Sequence, residues 1–289
     1  MPYVMRTRNE SAVYFEQRID VRNAEQFVRA FNVAHPETRT TLFQVIMWAA
    51  RQGLVEYPAL NRFVAGGRHY QRDGIWISYS AKQRMKTGAP LLVLKREFPP
   101  DETFGAMVGA VGDQLHSAKF GGAKSTVDSE LGLVLALPGF LRRLVFAAYR
   151  SLEALGMFPS AFIDSDPLYA TLFLTDLGSL GMDPAYHHLY EYGTIGIFGA
   201  VGRARTELVG DPNTGRMERQ RVAAVRWSFD ERVEDGLYAG YGLKQVKKLI
   251  EDPVKGGIAL GDDATLAVLE RADVDITDDR EAVTVVEEA

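Results

Sequence analysis

No cysteine occurs among the 289 residues, which excludes a disulfide framework, a thiolate nucleophile and a cysteine metal cluster, and suits a reducing compartment. The opening MPYVMRTRNE lacks the apolar stretch of a secretory signal, so the expected location is the cytoplasm. An uninterrupted apolar run of about 20 residues is also missing. The nearest approach, Leu131 to Pro159, is broken by Pro138 and by Arg142, Arg143, Arg150 and Glu153, and is expected not to span a membrane. His35, His69 and His116 are scattered without metal-ligand spacing, and no H-E-x-x-H, P-loop or G-x-S-x-G is present. The glycines of GAMVGAVG and GIFGAVGRA do not form a dinucleotide loop between a strand and a helix. Metal, nucleotide-phosphate and serine-hydrolase chemistry therefore have no motif to stand on.

Charge of one sign is scarce in the body and concentrated at the end. Of a net charge of −5, residues 262–289 hold −8, ten acids against Arg271 and Arg280, which leaves +3 on residues 1–261. That is too little for a nucleic-acid partner and compatible with a local anion pocket. Two units follow: a body over 1–261 and an acidic, flexible tail over 262–289. Within the tail, ATLAVLERA reads either as a short docking helix for a protein partner or as part of a solvated appendage.

With 46% hydrophobic and 25% charged residues the body is ordinary globular material. Val13, Phe15, Ile19 and Val21 alternate, Gln17 apart, as in a half-buried strand. Helical stripes follow over Asn23–Asn32 and from Thr40 and Thr41 onward through Leu42, Val45, Ile46 and Ala49. Arg68 to Ser80, around Asp73-Gly74, is expected to be a hairpin, and Leu91 to Leu94 a short buried strand. A helix is predicted over 101–120, with a break at GGAKS. In the apolar stretch Leu141, Leu144, Val145, Ala148, Leu152 and Leu155 line one helical face. Its plainest use is in the core or a subunit interface; an acyl-chain wall and a membrane-surface helix are the other readings. Strands are predicted over Thr171–Leu174, Thr194–Glu207 and Arg219–Phe229, the last two joined by GDPNTG, before a final helix over Gly240–Glu251. One α/β domain accommodates this order.

Two stretches carry a resemblance. TLFQVIMWAARQGLVEYPALNRFVAGGRHYQRDGIWISYSAK (41–82), and the run from FLTDLGSLGM through GTIGIFGAVGRA to WSFDERVEDGLYAGYGLKQVKKLIEDP, are similar to catalytic domains of the acyltransferase components of 2-oxo acid dehydrogenase complexes, with chloramphenicol acetyltransferase more distant. The likeness spans roughly residues 10 to 253 and is poor over 121–165. It implies a mixed sheet flanked by helices and a homotrimer with sites at subunit interfaces, assembled in some members into a cage. The chain would be the catalytic core alone, without lipoyl or subunit-binding domains. No covalently bound cofactor is implied; a coenzyme A thioester is the implied substrate.

The family's signature is H-x-x-x-D-G after an acidic residue. Here Asp230 is followed by Glu231, Arg232, Val233, Glu234, Asp235 and Gly236, so a glutamate occupies the histidine position. By resemblance Glu231 stands where the base that deprotonates a thiol belongs. Thr175, or Ser179 if the alignment slips by a turn, supplies a hydroxyl to the oxyanion of a neighbouring subunit, and Asp235 and Gly236 hold the loop beside the substrate. His187 and His188 are the other candidate groups on the substrate side, with a plainer use as a loop pair facing solvent or an interface.

A base works best with a pKa near the working pH. Against a thiol of about 8.5, an ordinary glutamate near 4.3 carries about 3 kcal/mol more deficit than a histidine near 6.5, or about a hundredfold in rate. Burial or the neighbouring Asp230 and Glu234 would narrow that gap, and pairing with Arg226 or Arg232 would widen it. Two outcomes remain open at this level: an acyltransferase with an altered base, and a catalytically silent subunit of a trimer or cage with an acidic interaction tail. A pocket that binds a fatty acyl ligand is a third.

Overall fold

The computed structural model describes residues 2–82, 91–120, 136–210, 215–254, 258 and 267–268. The acidic tail lies outside the described residues apart from 267–268, as do GGAKS and most of GDPNTG. The chain begins with strand β1 (Ala12–Asp20) and helix α1 (Arg22–Ala34), and helix α2 (Leu42–Glu56) then starts at a capping box. The Thr41 hydroxyl accepts from the Gln44 amide while the Gln44 side chain accepts from Thr41 N at 3.0 Å, so two otherwise orphaned donors are satisfied reciprocally. Strands β2 (Arg62–Ala65), β3 (Arg68–Gln71), β4 (Trp76–Lys82) and β5 (Leu91–Glu97) follow, then helices α3 (Phe104–Phe120), α4 (Gly139–Ala154) and α5 (Ser160–Ser165). Strands β6 (Leu172–Asp176), β7 (Ile197–Gly210) and β8 (Met217–Asp230) and helix α6 (Gly236–Glu251) complete the order.

Six strands form one mixed sheet, β1-β8-β7-β6-β4-β5, parallel between β7 and β6 and between β6 and β4 and antiparallel elsewhere. Alternation divides its residues between two faces. Leu172, Leu174, Ile197, Val225 and Trp227 turn toward the helices, where they meet Phe27, Trp48, Phe104 and Ile250. Each fully buried large side chain here contributes about 1.5–3 kcal/mol. Phe173, Phe198 and Ala200 turn the other way, into a smaller cluster with Leu189 and Ile195. Gln17, the polar exception in β1, is satisfied on the helix side: its Nε2 donates to the Leu243 carbonyl at 2.8 Å and its Oε1 accepts from the Trp227 indole at 3.0 Å.

Three expectations need correction. Asp73-Gly74 does not close a hairpin, because β3 pairs with β2 around Gly66-Gly67, and β4 pairs with β5 and β6. The Asn61 side chain explains this: its Nδ2 donates to the Gly74 carbonyl at 2.8 Å and steers the chain from the small sheet to the large one. Leu92 to Leu94 are half-buried, since β5 forms a sheet edge. Helix α4 buries no residue in this chain, so the apolar stretch is no core helix. Among the described residues no helix is long and apolar enough to cross a membrane.

Candidate functional site

The loop leaving β8 is built around a buried ion pair. Asp230 and Arg232 are 1% and 7% exposed, and the guanidinium grips the carboxylate with two bonds, Nε to Oδ1 at 2.9 Å and Nη2 to Oδ2 at 2.8 Å. Ser11 Oγ donates to the same Oδ1 at 2.7 Å, and Arg232 Nη1 donates to the Arg6 carbonyl, tying the N-terminal segment to the loop. Arg8 lies close by, its guanidinium donating to the carbonyls of Tyr190, Glu191 and Gly193; burial lowers its pKa against the raising effect of Asp230. Satisfied on every side, such a buried pair fixes geometry more than it adds stability.

Glu231 projects from this frame half-buried. Its amide donates to the Ser11 carbonyl at 3.0 Å, while its carboxylate makes no hydrogen bond or ion pair among the described residues. The arginines expected to pair with it are engaged elsewhere: Arg232 with Asp230, and Arg226 with Glu16 at 2.7 Å and over the Tyr186 ring at 4.4 Å. Arg62 pairs with Glu234 at 3.0 Å. Asp235 caps α6, its Oδ1 accepting from Tyr238 N at 2.8 Å, and Gly236 opens the helix with open space where a Cβ would stand.

Thr175 lies on β6, on the face opposite the large helix core, and its hydroxyl is 2.8 Å from that of Ser80 on β4. Ser80 escaped the sequence reading; its signal was the alternation with buried Tyr79, which turns it to the Thr175 side. Ser179 is exposed, with its hydroxyl donating to the Asp176 carbonyl at 3.0 Å. Burial raises the pKa of Asp176, which accepts the Ser179 amide.

His187 and His188 belong to a strap across the second face of the sheet. Arg226 Nη1 donates to the Pro184 carbonyl at 2.7 Å and Ser228 Oγ donates to the His187 carbonyl, clamping the strap to β8. The His187 ring stacks on Phe198 at 3.9 Å and 5°, and burial lowers its pKa. His188 lies against it, ring centroids 4.6 Å apart. Pro184 reaches the sheet because Gly202 leaves space for its ring.

Strand register separates the candidates within one chain. Thr175 pairs with Ala200 and Ala200 with Arg226, so Glu231 lies five residues further along β8 and two strands across, about 16 Å by about 10 Å. Glu231 and Thr175 of the same chain do not meet. The imidazole brought to the loop is His69, on β3, whose Nε2 is 2.5 Å from the Arg232 carbonyl. It is 163 residues away in sequence, with no local spacing to reveal it.

No family model matches the chain, and no curated protein matches it in sequence. Solved structures do. A probable dihydrolipoamide acetyltransferase from Listeria monocytogenes superposes with a TM-score of 0.61 at 17% identity, over 86% of this chain and 88% of that one. The dihydrolipoamide acetyltransferase of Azotobacter vinelandii, studied for the role of a serine, a histidine and an asparagine in catalysis, gives 0.60 at 16%, over 84% and 82%. A chloramphenicol acetyltransferase gives 0.50 at 11%, over 86% and 92%. The chain has the chloramphenicol acetyltransferase-like fold of these acyltransferase cores.

Proposed function

We propose that the chain transfers an acyl group between a thioester, coenzyme A the expected carrier, and an acceptor thiol, at a site shared by two copies. Glu231 of one copy would act as the base and Thr175, backed by Ser80, would serve the oxyanion in the other. The observation that carries this reading is the Glu231 carboxylate, without a hydrogen bond or ion pair among the described residues, in a corner where Arg62, Arg226 and Arg232 are each matched to a different acid. The separation of Thr175 from Glu231 in one chain makes a second copy a requirement, in keeping with the oligomeric enzyme cores that share the fold. In the step, Glu231 takes the acceptor proton and the thiolate attacks the acyl carbon. The Thr175 hydroxyl donates to the oxyanion, with Ser80 donating to Thr175 in turn. Collapse expels the carrier thiolate, which recovers the proton from Glu231.

The test is thiol acetylation by acetyl-coenzyme A with calorimetry of coenzyme A binding. Activity that falls by about a hundredfold or more in Glu231→Ala, with binding kept, supports the base role. An unchanged rate removes Glu231 from it, and absence of coenzyme A binding removes the enzyme.

A second reading, a catalytically silent assembly subunit with an acidic partner-binding tail, draws on the β7–β8 ribbon. Beyond the register that β1 covers, β7 and β8 pair, among the described residues, with each other alone and expose Leu208 and Met217 at 65% and 63%. Such an arm suits a neighbouring copy in a trimer or cage. A trimer-multiple mass with no acyl-donor binding favours this reading, and a monomer in solution sinks both.

A further inference from the structure

Among the described residues, helix α4 touches the body along one edge. Tyr149 stacks on Tyr192 at 4.8 Å and 19°, and Glu153, the helix's only acid, accepts from the Tyr169 hydroxyl at 3.1 Å. The opposite side is apolar and open: Phe140, Leu144 and Leu155 are 71%, 65% and 70% exposed, and Met157 just beyond is 66% exposed. A helical period of 3.6 residues sets Phe140, Leu144 and Leu155 in one line. Arg143 and Arg150 flank that line, and Arg142 stands nearer the Tyr149 edge. An open hollow of about 750 Å³ is lined by Gly139, Arg142, Arg143, Phe146, Ala147 and Arg150, and none of these arginines forms an ion pair among the described residues. With Glu153 turned inward, the outer surface of the helix is cationic and apolar at once.

We propose that α4 lies on an anionic phospholipid surface, with the Phe140–Leu144–Leu155 line among the acyl chains and Arg142, Arg143 and Arg150 on the phosphates. A helix with an arginine-bearing flank, a wide apolar face and low mean hydropathy has the form of an interfacial helix that lies in the membrane plane without spanning it. The charges are complementary: three arginines that form no ion pair among the described residues meet a surface whose headgroups are negative. A two-fold contact between copies through this face would instead set arginines of both against one another. The outward-facing convex line needs no groove in a partner, which fits shallow insertion into lipid. This proposal stands independently of the acyl-transfer reading.

The experiment is flotation of the full-length protein with two vesicle preparations, phosphatidylcholine alone and the same lipid with about 30% phosphatidylglycerol, at about 0.1 M salt. The expected result is binding to the anionic vesicles at least tenfold tighter than to the neutral ones. It should weaken tenfold or more in Leu144→Asp/Leu155→Asp, and again in Arg142→Gln/Arg143→Gln/Arg150→Gln, with far-ultraviolet circular dichroism unchanged. Full-length protein that ignores anionic vesicles overturns the proposal, as does binding unaffected by both sets of substitutions. Two further outcomes overturn it by naming another occupant. If the Leu144→Asp/Leu155→Asp protein loses its native oligomeric mass and the parent shows no lipid binding, the face belongs to a second copy. If the parent shows no lipid binding and hydrogen exchange finds α4 protected until Asp278→Lys/Asp279→Lys is introduced, the acidic tail covers it.

Discussion

At the corner where β8 ends, Arg232 holds Asp230 with two bonds and Ser11 adds a third, whereas the three arginines around the α4 hollow carry no ion pair among the described residues. The corner lies within the stretch whose sequence resembles acyltransferase cores, and α4 lies in the stretch where that likeness is poor. In the first region Arg62, Arg226 and Arg232 are each paired with an acid, and among the described residues the Glu231 carboxylate is left without a partner. In the second, apolar and cationic groups are left over together. A group left unmatched in an otherwise satisfied neighbourhood points to chemistry at one place, and a whole helix face left unmatched points to a surface.

The sharpest way to break the comparison is Asp230→Ala, which strands two buried guanidinium groups, Arg232 and Arg8, near one another. It is expected to lower unfolding free energy by about 3–5 kcal/mol in urea titration; a loss below about 1 kcal/mol would show that the corner is not the closed network described. Thr41→Ala, which removes half of the α2 capping box, should cost about 1 kcal/mol by the same titration, with no loss if the cap is dispensable. Leu155→Asp on α4 should change stability by no more than about 0.5 kcal/mol, as for any exposed site. A loss of several kilocalories would mean that this face is buried in the folded chain, and the contrast would vanish.

The smallest expected effect concerns pH. Burial against Phe198 lowers the pKa of His187, so its folded value lies below its unfolded one. As pH falls through about 6.5, the unfolded chain takes up the proton first and stability declines, until the folded histidine also protonates. The urea midpoint should therefore drop less between pH 7 and pH 5 in His187→Phe than in the parent. Equal drops would take His187 out of the packed strap.

Much of the scaffold was legible because alternation and helical spacing are local. The starts of α1 and α2, the β7–β8 pairing and the body of the final helix follow from periods of two and 3.6 and from Thr41 as a cap, whereas the first turn of that helix, opened at Gly236 by Asp235 as its cap, was not read. The failures share a cause in distant partners. Asn61 diverts the chain at Gly74, so Asp73-Gly74 joins two sheets instead of closing a hairpin. Gln17 breaks the β1 pattern for the sake of Trp227 and Leu243. At the candidate site the seven-residue frame around Glu231 was readable, but the assignment of its arginines was not. That assignment depends on Glu16 and on Asp230 held by Ser11, residues more than 200 positions apart in sequence. The face of Ser80 was set by alternation with Tyr79, but its partner Thr175 comes from strand register, and His69 comes through the small sheet, for which no short-range signal exists.

The central claim is that Glu231 carries the proton in acyl transfer on this scaffold. Its most direct measurement is the rate of acetyl transfer from acetyl-coenzyme A to a thiol for the parent, Glu231→Gln and Glu231→His, each with coenzyme A affinity determined alongside. The account predicts that Glu231→Gln loses about a hundredfold or more while Glu231→His matches or exceeds the parent by up to about a hundredfold, at unchanged affinity. A Glu231→Gln protein as fast as the parent would contradict it.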